Sequence, residues 1–170
     1  VARLSEEKGL DFLIDSVKKF DELVDLNYKL IIVGDGPQES SLKNKVQEYK
    51  LTNEIIFTGY RKDIDNILMG CDCFINSSSS EALSFSILEA MSKALPIIAT
   101  KVGGNRDIVN EETNCGILVR YGGIVQMAKA MEKIIFDEKF CKRCGENSVR
   151  AIKERFDIDK IIMKTYDLYS

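Results

Sequence analysis

The chain has 170 residues, 45% of them hydrophobic, with a net charge of −3 and a pI near 5.2. That length fits one domain with a substantial core. The acidic balance argues against nucleic acid as the main partner, and no apolar run approaches the roughly 20 residues of a membrane span. Histidine is absent, which removes Ser–His and Cys–His nucleophile schemes and the commonest neutral-pH base. Any chemistry must rest on carboxylates, Lys, Arg, backbone groups and the substrate itself.

Val1-Ala-Arg-Leu4 reads as an opening strand. Because the chain enters on it without a methionine, the sequence is expected to be part of a larger protein. Arg3 and Lys8 follow in a loop and by spacing alone are solvated charges. Leu10, Leu13, Ile14, Val17, Phe20 and Val24 recur at helical spacing. Leu30 to Val33 is a continuous apolar run, as in a parallel strand buried on both faces. Gly34-Asp-Gly36-Pro37 then makes a strand–helix turn rather than a dinucleotide G-x-G-x-x-G fingerprint, which Pro37 breaks. Gly34 and Gly36 could serve the turn alone or bring backbone close to a ligand.

A helix is predicted over 38–49, a strand over 55–57 and a short helix over 63–69. Arg61 sits at the intervening strand end. Asp63-Ile-Asp65 mimics a D-x-D metal motif, but Asp63 reads better as a helix cap. A strand over 72–75, a polar loop of serines (77–80) and a helix over 85–94 follow. Next come a strand over 96–99, a Gly103-Gly104 turn with a short helix (105–109), and a last strand over 116–119. Helices are predicted over 124–135, 138–156 and 158–169, the last amphipathic. This alternation specifies an α/β fold, a doubly wound parallel sheet with right-handed crossovers, in a single domain spanning 1–170.

The five cysteines are an odd number in a chain too large to need disulfide staples, which favours a reduced, cytoplasmic setting. Cys71 with Cys73, and Cys141 with Cys144, could supply a four-thiolate metal site. The plainer reading puts Cys73 in a strand core and the C-x-x-C on one face of a surface helix, with no metal.

Glu81 and Glu89 bracket Glu-Ala-Leu-Ser-Phe-Ser-Ile-Leu-Glu with seven residues between them. Strand, loop and helix start is the usual ligand site of an open α/β sheet. Free N–H groups and the positive end of a helix dipole suit a phosphate there. Glu81 falls in the loop and Glu89 about one turn inside the helix, so each can reach a different part of one ligand. Either acid could instead be a solvated helix-end charge.

Together these segments resemble the C-terminal half of retaining glycosyltransferases of family 4, the group 1 transferases of the GT-B fold. The likeness runs nearly end to end: residues 1–9 with their Arg and Lys, Leu-Ile-Ile-Val-Gly-Asp-Gly-Pro (30–37), Ile-Phe-Thr-Gly-Tyr (56–60), the E-x7-E pair, and Pro-Ile-Ile-Ala-Thr-Lys-Val-Gly-Gly (96–104). The resemblance implies that Arg3 and Lys8 stabilise the leaving diphosphate in place of a metal. It implies that backbone N–H groups around Ser84, Phe85 and Ser86 cradle phosphate, that Glu89 accepts from the ribose hydroxyls, and that Glu81 positions the transferred sugar. Many members carry Gly or Pro where Ala82 and Ser84 stand, so the sugar pocket departs from the common pattern. The Arg61 loop is expected to pack on the base. Gly103 and Gly104, with Asn105 and Asp107, are expected on the sugar or acceptor side.

The resemblance further implies a nucleotide-sugar donor (UDP or GDP), no other cofactor, an N-terminal domain bearing most of the acceptor site, and a saccharide or lipid-linked acceptor. A lipid-linked acceptor would place the parent at the cytoplasmic membrane face. The terminal helix is expected to cross back to the N-terminal domain. An isolated half is expected to bind nucleotide weakly and transfer little. Three rivals remain: another GT-B enzyme such as an epimerase or phosphorylase, a non-catalytic nucleotide-binding module, and a Rossmann-like dehydrogenase domain.

Overall fold

The computed structural model describes residues 1–156; the predicted helix over 158–169 lies outside them. Five strands, β1 (Leu30–Val33), β2 (Ile55–Gly59), β3 (Phe74–Asn76), β4 (Ile97–Thr100) and β5 (Gly116–Val119), alternate with helices. The helices are α1 (Leu10–Asp21), α2 (Glu39–Glu48), α3 (Ile64–Met69), α4 (Phe85–Ser92), α5 (Asn105–Ile108), α6 (Ile124–Phe136) and α7 (Glu138–Arg155). The strands pair in parallel as two sheets, β1-β2 and β3-β4-β5. This is the expected α/β fold.

β4 shows why the sheet is sandwiched by helices. All four of its residues are buried. Ile98 joins a core built with α1, α2 and α6, while Ile97 and Ala99 join a second core with α4 and α7. Side chains alternate across a strand, so an uninterrupted apolar run is stable only when both faces are covered.

Residues 1–4 form no strand, contrary to expectation, yet they tie the two sheets together. Ala2 N–H donates to Val33 O at 2.9 Å and Leu4 N–H to Asp35 O at 2.7 Å. Leu4 lies in the first core and Val1 packs against the second. Gly34 and Gly36 permit this attachment. With φ of +129° and +158°, a Cβ on either would stand 1.9 Å from Ala2 O or 2.5 Å from Leu4 O. The absence of side chains is therefore explained by chain packing at the turn.

Candidate active site

The loop from β3 to α4 (77–84) crosses the carboxyl ends of the strands, and the 1–9 segment lies against it. Ser77 Oγ donates to Lys8 O at 2.8 Å. The Ser79 N–H donates to Glu7 O at 2.8 Å. This docking brings together two residues 73 apart in sequence: Lys8 Nζ is 3.0 Å from Glu81 Oε2. Ser78 Oγ donates to the same oxygen at 3.0 Å. Both charged side chains are largely covered, at 25% and 14% exposure, so the pair is better shielded than a surface salt bridge.

Ser84 precedes α4 with an extended backbone, but its hydroxyl does not cap the helix. It is held by Asn76 Nδ2 at 3.1 Å and lies 3.1 Å from Ser86 Oγ. The first intrahelical bond to Ser84 O comes from the Ile87 N–H at 3.2 Å. The N–H groups of Phe85 and Ser86 thus head the helix without a side-chain cap from Ser84, in the arrangement that binds anions. Phe85 is 71% exposed beside them. Glu89 lies one turn further on, exposed.

Arg3 is exposed and lines a cleft of about 620 Å³ with Val1, Gly34, Asp35, Tyr60, Arg61 and Ile64, among others. A smaller cavity, about 80 Å³, is lined by Lys8, Asn76, Ser77, Ser78 and Ser86 and shares Val1 and Ala2 with the first. Arg61 makes a two-pronged bond with Asp63, at 2.8 and 2.7 Å. Asp63 consequently does not cap α3 through its side chain. The Arg61 pairing holds the Asp63 carboxyl below its usual range.

Gly103 and Gly104 grip the loop from the far side. Gly104 N–H donates to Glu81 O at 2.9 Å, and Cβ atoms at these glycines would stand 1.8 and 1.9 Å from Glu81 O and Ala82 O. Asn105 does not line the sugar side: it is fully buried at 0% exposure. Asp107 is exposed. Cys144 is buried rather than on a surface face, and all five cysteines are free. Among the described residues no cluster of three or more Cys, Asp or Glu could hold a metal, and no helix is long and apolar enough to cross a membrane.

The family model described as "Glycosyl transferases group 1" matches residues 1–150. The chain belongs to this family. This group 1 glycosyltransferase domain is 26% identical, over 91% of its length, to N-acetyl-alpha-D-glucosaminyl L-malate synthase of Bacillus anthracis, of which it covers 41%. It is 34% identical, over 82% of its length, to an Escherichia coli UDP-Gal:alpha-D-GlcNAc-diphosphoundecaprenol alpha-1,3-galactosyltransferase, covering 36% of that protein. Anabaena HepE solved with UDP superposes with a TM-score of 0.90 at 26% identity, across 99% of this chain and 46% of that one. HepE solved with UDP-glucose gives 0.88 at 28%, with the same coverage of both. The domain spans less than half the length of these relatives.

Proposed function

We propose that this domain is the donor-binding half of a retaining, metal-independent glycosyltransferase of family 4, acting on a UDP sugar. The observation that carries the reading is the convergence of Lys8, Glu81 and the α4 N-terminus at the carboxyl ends of the strands. Breaking the bond between an anomeric carbon and a diphosphate gathers negative charge on the leaving group and positive charge on the sugar. Fixed donors and cations at the first, and a carboxylate beside the second, stabilise that separation. Arg3 and Lys8 supply the cationic side, Arg3 by its fork of donors and Lys8 by its point charge. The Phe85 and Ser86 N–H groups supply fixed dipoles. Glu81 accepts from sugar hydroxyls and opposes the positive charge on the ring; Glu89 accepts from the ribose.

In this reading the larger cleft takes the base between Gly34, Tyr60 and Arg61, with Arg61 released from Asp63 or contributing backbone alone. The HepE complexes with UDP and UDP-glucose support uracil as the base. An N-terminal domain would complete the acceptor side, and an isolated half would transfer little. The parent would work in the cytoplasm on a saccharide or lipid-linked acceptor.

The test is calorimetric titration of the full-length protein with UDP, GDP and ADP, beside a Glu89→Ala variant. Saturable binding of UDP, weakened about tenfold or more in the variant by loss of the ribose hydrogen bonds, supports the reading. Binding unaffected by the variant removes Glu89 from the donor site; no binding of any nucleotide ends the reading.

A further inference from the structure

Beneath the loop that carries Glu81 lies a run of buried amides and hydroxyls that the transfer chemistry does not by itself require. Asn76, the last residue of β3, is buried. Its Nδ2 donates to Ser84 Oγ, and its Oδ1 accepts from the Ser78 N–H and from Asn105 Nδ2, all at 3.1 Å. Asn105 Nδ2 also donates to Thr100 O at 3.1 Å. Thr100 Oγ1 donates to Ser78 O at 2.6 Å. Asn76 therefore touches both ends of the loop, at Ser78 and at Ser84, and Asn105 joins Asn76 to β4.

The orientation of the Asn105 amide follows from its neighbours, because its NH2 group faces two carbonyl oxygens. Its own Oδ1 is buried with no hydrogen-bond partner among the described residues. A buried, unsatisfied acceptor costs stability. The position uses the Nδ2 of the amide, which donates to Asn76 Oδ1 and Thr100 O, and the bond to Asn76 is the one that reaches the loop.

We propose that Asn105 is a positioning residue for donor binding: its amide fixes Asn76, and through Asn76 the 78–84 loop that presents Glu81 and the head of α4. The proposal rests on the donor-site reading above. It predicts a selective effect. The diphosphate and sugar lie on the loop that the network holds, while the nucleoside lies in a cleft lined by Gly34, Tyr60 and Arg61, none of which bonds to it.

The full-length protein and its Asn105→Ala variant would be titrated with UDP, GDP and ADP, and then with the monophosphate of whichever base binds. The diphosphate Kd is expected to rise about tenfold and the monophosphate Kd to change less than about twofold, as for loss of one hydrogen-bonded support. Equal losses for both ligands with a lowered Tm make Asn105 a general fold residue and overturn the proposal. Unchanged affinities overturn it while leaving the donor site intact. A wild type that binds none of the three removes the donor-site reading, and this proposal with it. Should Asn105→Ala fail to fold, Asn105→Asp keeps the size and trades the NH2 for a carboxylate that burial and facing carbonyls push toward protonation. Protonation restores one donor, so its diphosphate affinity relative to wild type is expected to recover between about pH 8 and about pH 5.5. A flat ratio across that range overturns the proposal.

Discussion

The two ends of the cleft are built differently. At the Glu81 end, every turn of the loop is held: Ser78 and Ser84 by Asn76, Glu81 by Gly104 and Lys8, Ser77 and Ser79 by the 5–9 segment. At the Tyr60 end the cleft is broad, Tyr60 is 68% exposed, and Arg61 is paired with a residue two positions away on the surface. Buried networks fix geometry to within fractions of an ångström; open aromatic and charged surfaces supply contact without fixing it. In the proposed donor the first end holds the bond that breaks and the second holds the base. On that reading, rigidity is concentrated where a transition state must be matched.

Substitutions can break that contrast. The largest effect is expected from Glu81→Gln or Lys8→Met, each lowering donor turnover by the full-length protein about a hundredfold or more, the scale of losing one preorganised electrostatic partner. Measured kcat carries the effect; comparable loss at Tyr60 or Arg61 would erase the distinction between the ends. Gly104→Ala comes next. Its Cβ would meet backbone, not a flexible side chain, so the loop must shift, at on the order of 2–3 kcal/mol. A thermal melt reads this as a Tm drop on the order of 5–10 °C, with donor affinity lost in parallel. A Gly104→Ala protein with an unchanged Tm would show that the loop is not clamped.

Smaller changes belong to the open end. Tyr60→Ala and Arg61→Ala are each expected to raise the nucleotide Kd by less than about threefold, because both side chains stand in solvent and no buried network fixes them against the base. The smallest lies outside the cleft, in the helix that backs the rigid half. Asp137 accepts from the Phe140 N–H at 2.9 Å as the N-cap of α7. That bond, with the Lys133 pair, depresses its pKa below 3.8. A depressed acid contributes stability fully present above its unfolded pKa and lost as pH falls through the folded value. Acid unfolding curves should therefore show a slightly weaker pH dependence below about pH 4 in Asp137→Asn, which keeps the cap without the charge.

The sequence disclosed the scaffold well because scaffold residues are periodic. The run Leu30 to Val33 and the segment 116–119 are strands at the predicted bounds, and α6 and α7 differ from expectation by one residue each. Residues 1–4 read as a strand by composition, but with one backbone bond to β1 and one to Asp35 in the turn after it they form a tether instead. The candidate site residues Lys8 and Glu81 were legible by resemblance; their direct pairing was not, since contact across 73 positions leaves no periodic trace. The same holds for Asn76, Thr100 and Asn105, polar residues at strand and helix ends whose type fits solvent as well as a buried network. The glycines were recognised as turn formers, but what each one admits, the backbone of 2–4 or of 81–82, is a matter of tertiary packing.

The Lys8–Glu81 pair also bears on which ligands the proposed donor site prefers. With cation and carboxylate 3.0 Å apart, the two charges largely cancel, and a passing phosphate meets little net attraction. Such an ion could win Lys8 only by stranding Glu81 half-buried beside Ser78. A nucleotide sugar offers both at once, oxygens to the ammonium and hydroxyls to the carboxylate. In the proposed reading, the neutralised pair would favour a ligand that carries phosphate and sugar together over one that carries phosphate alone.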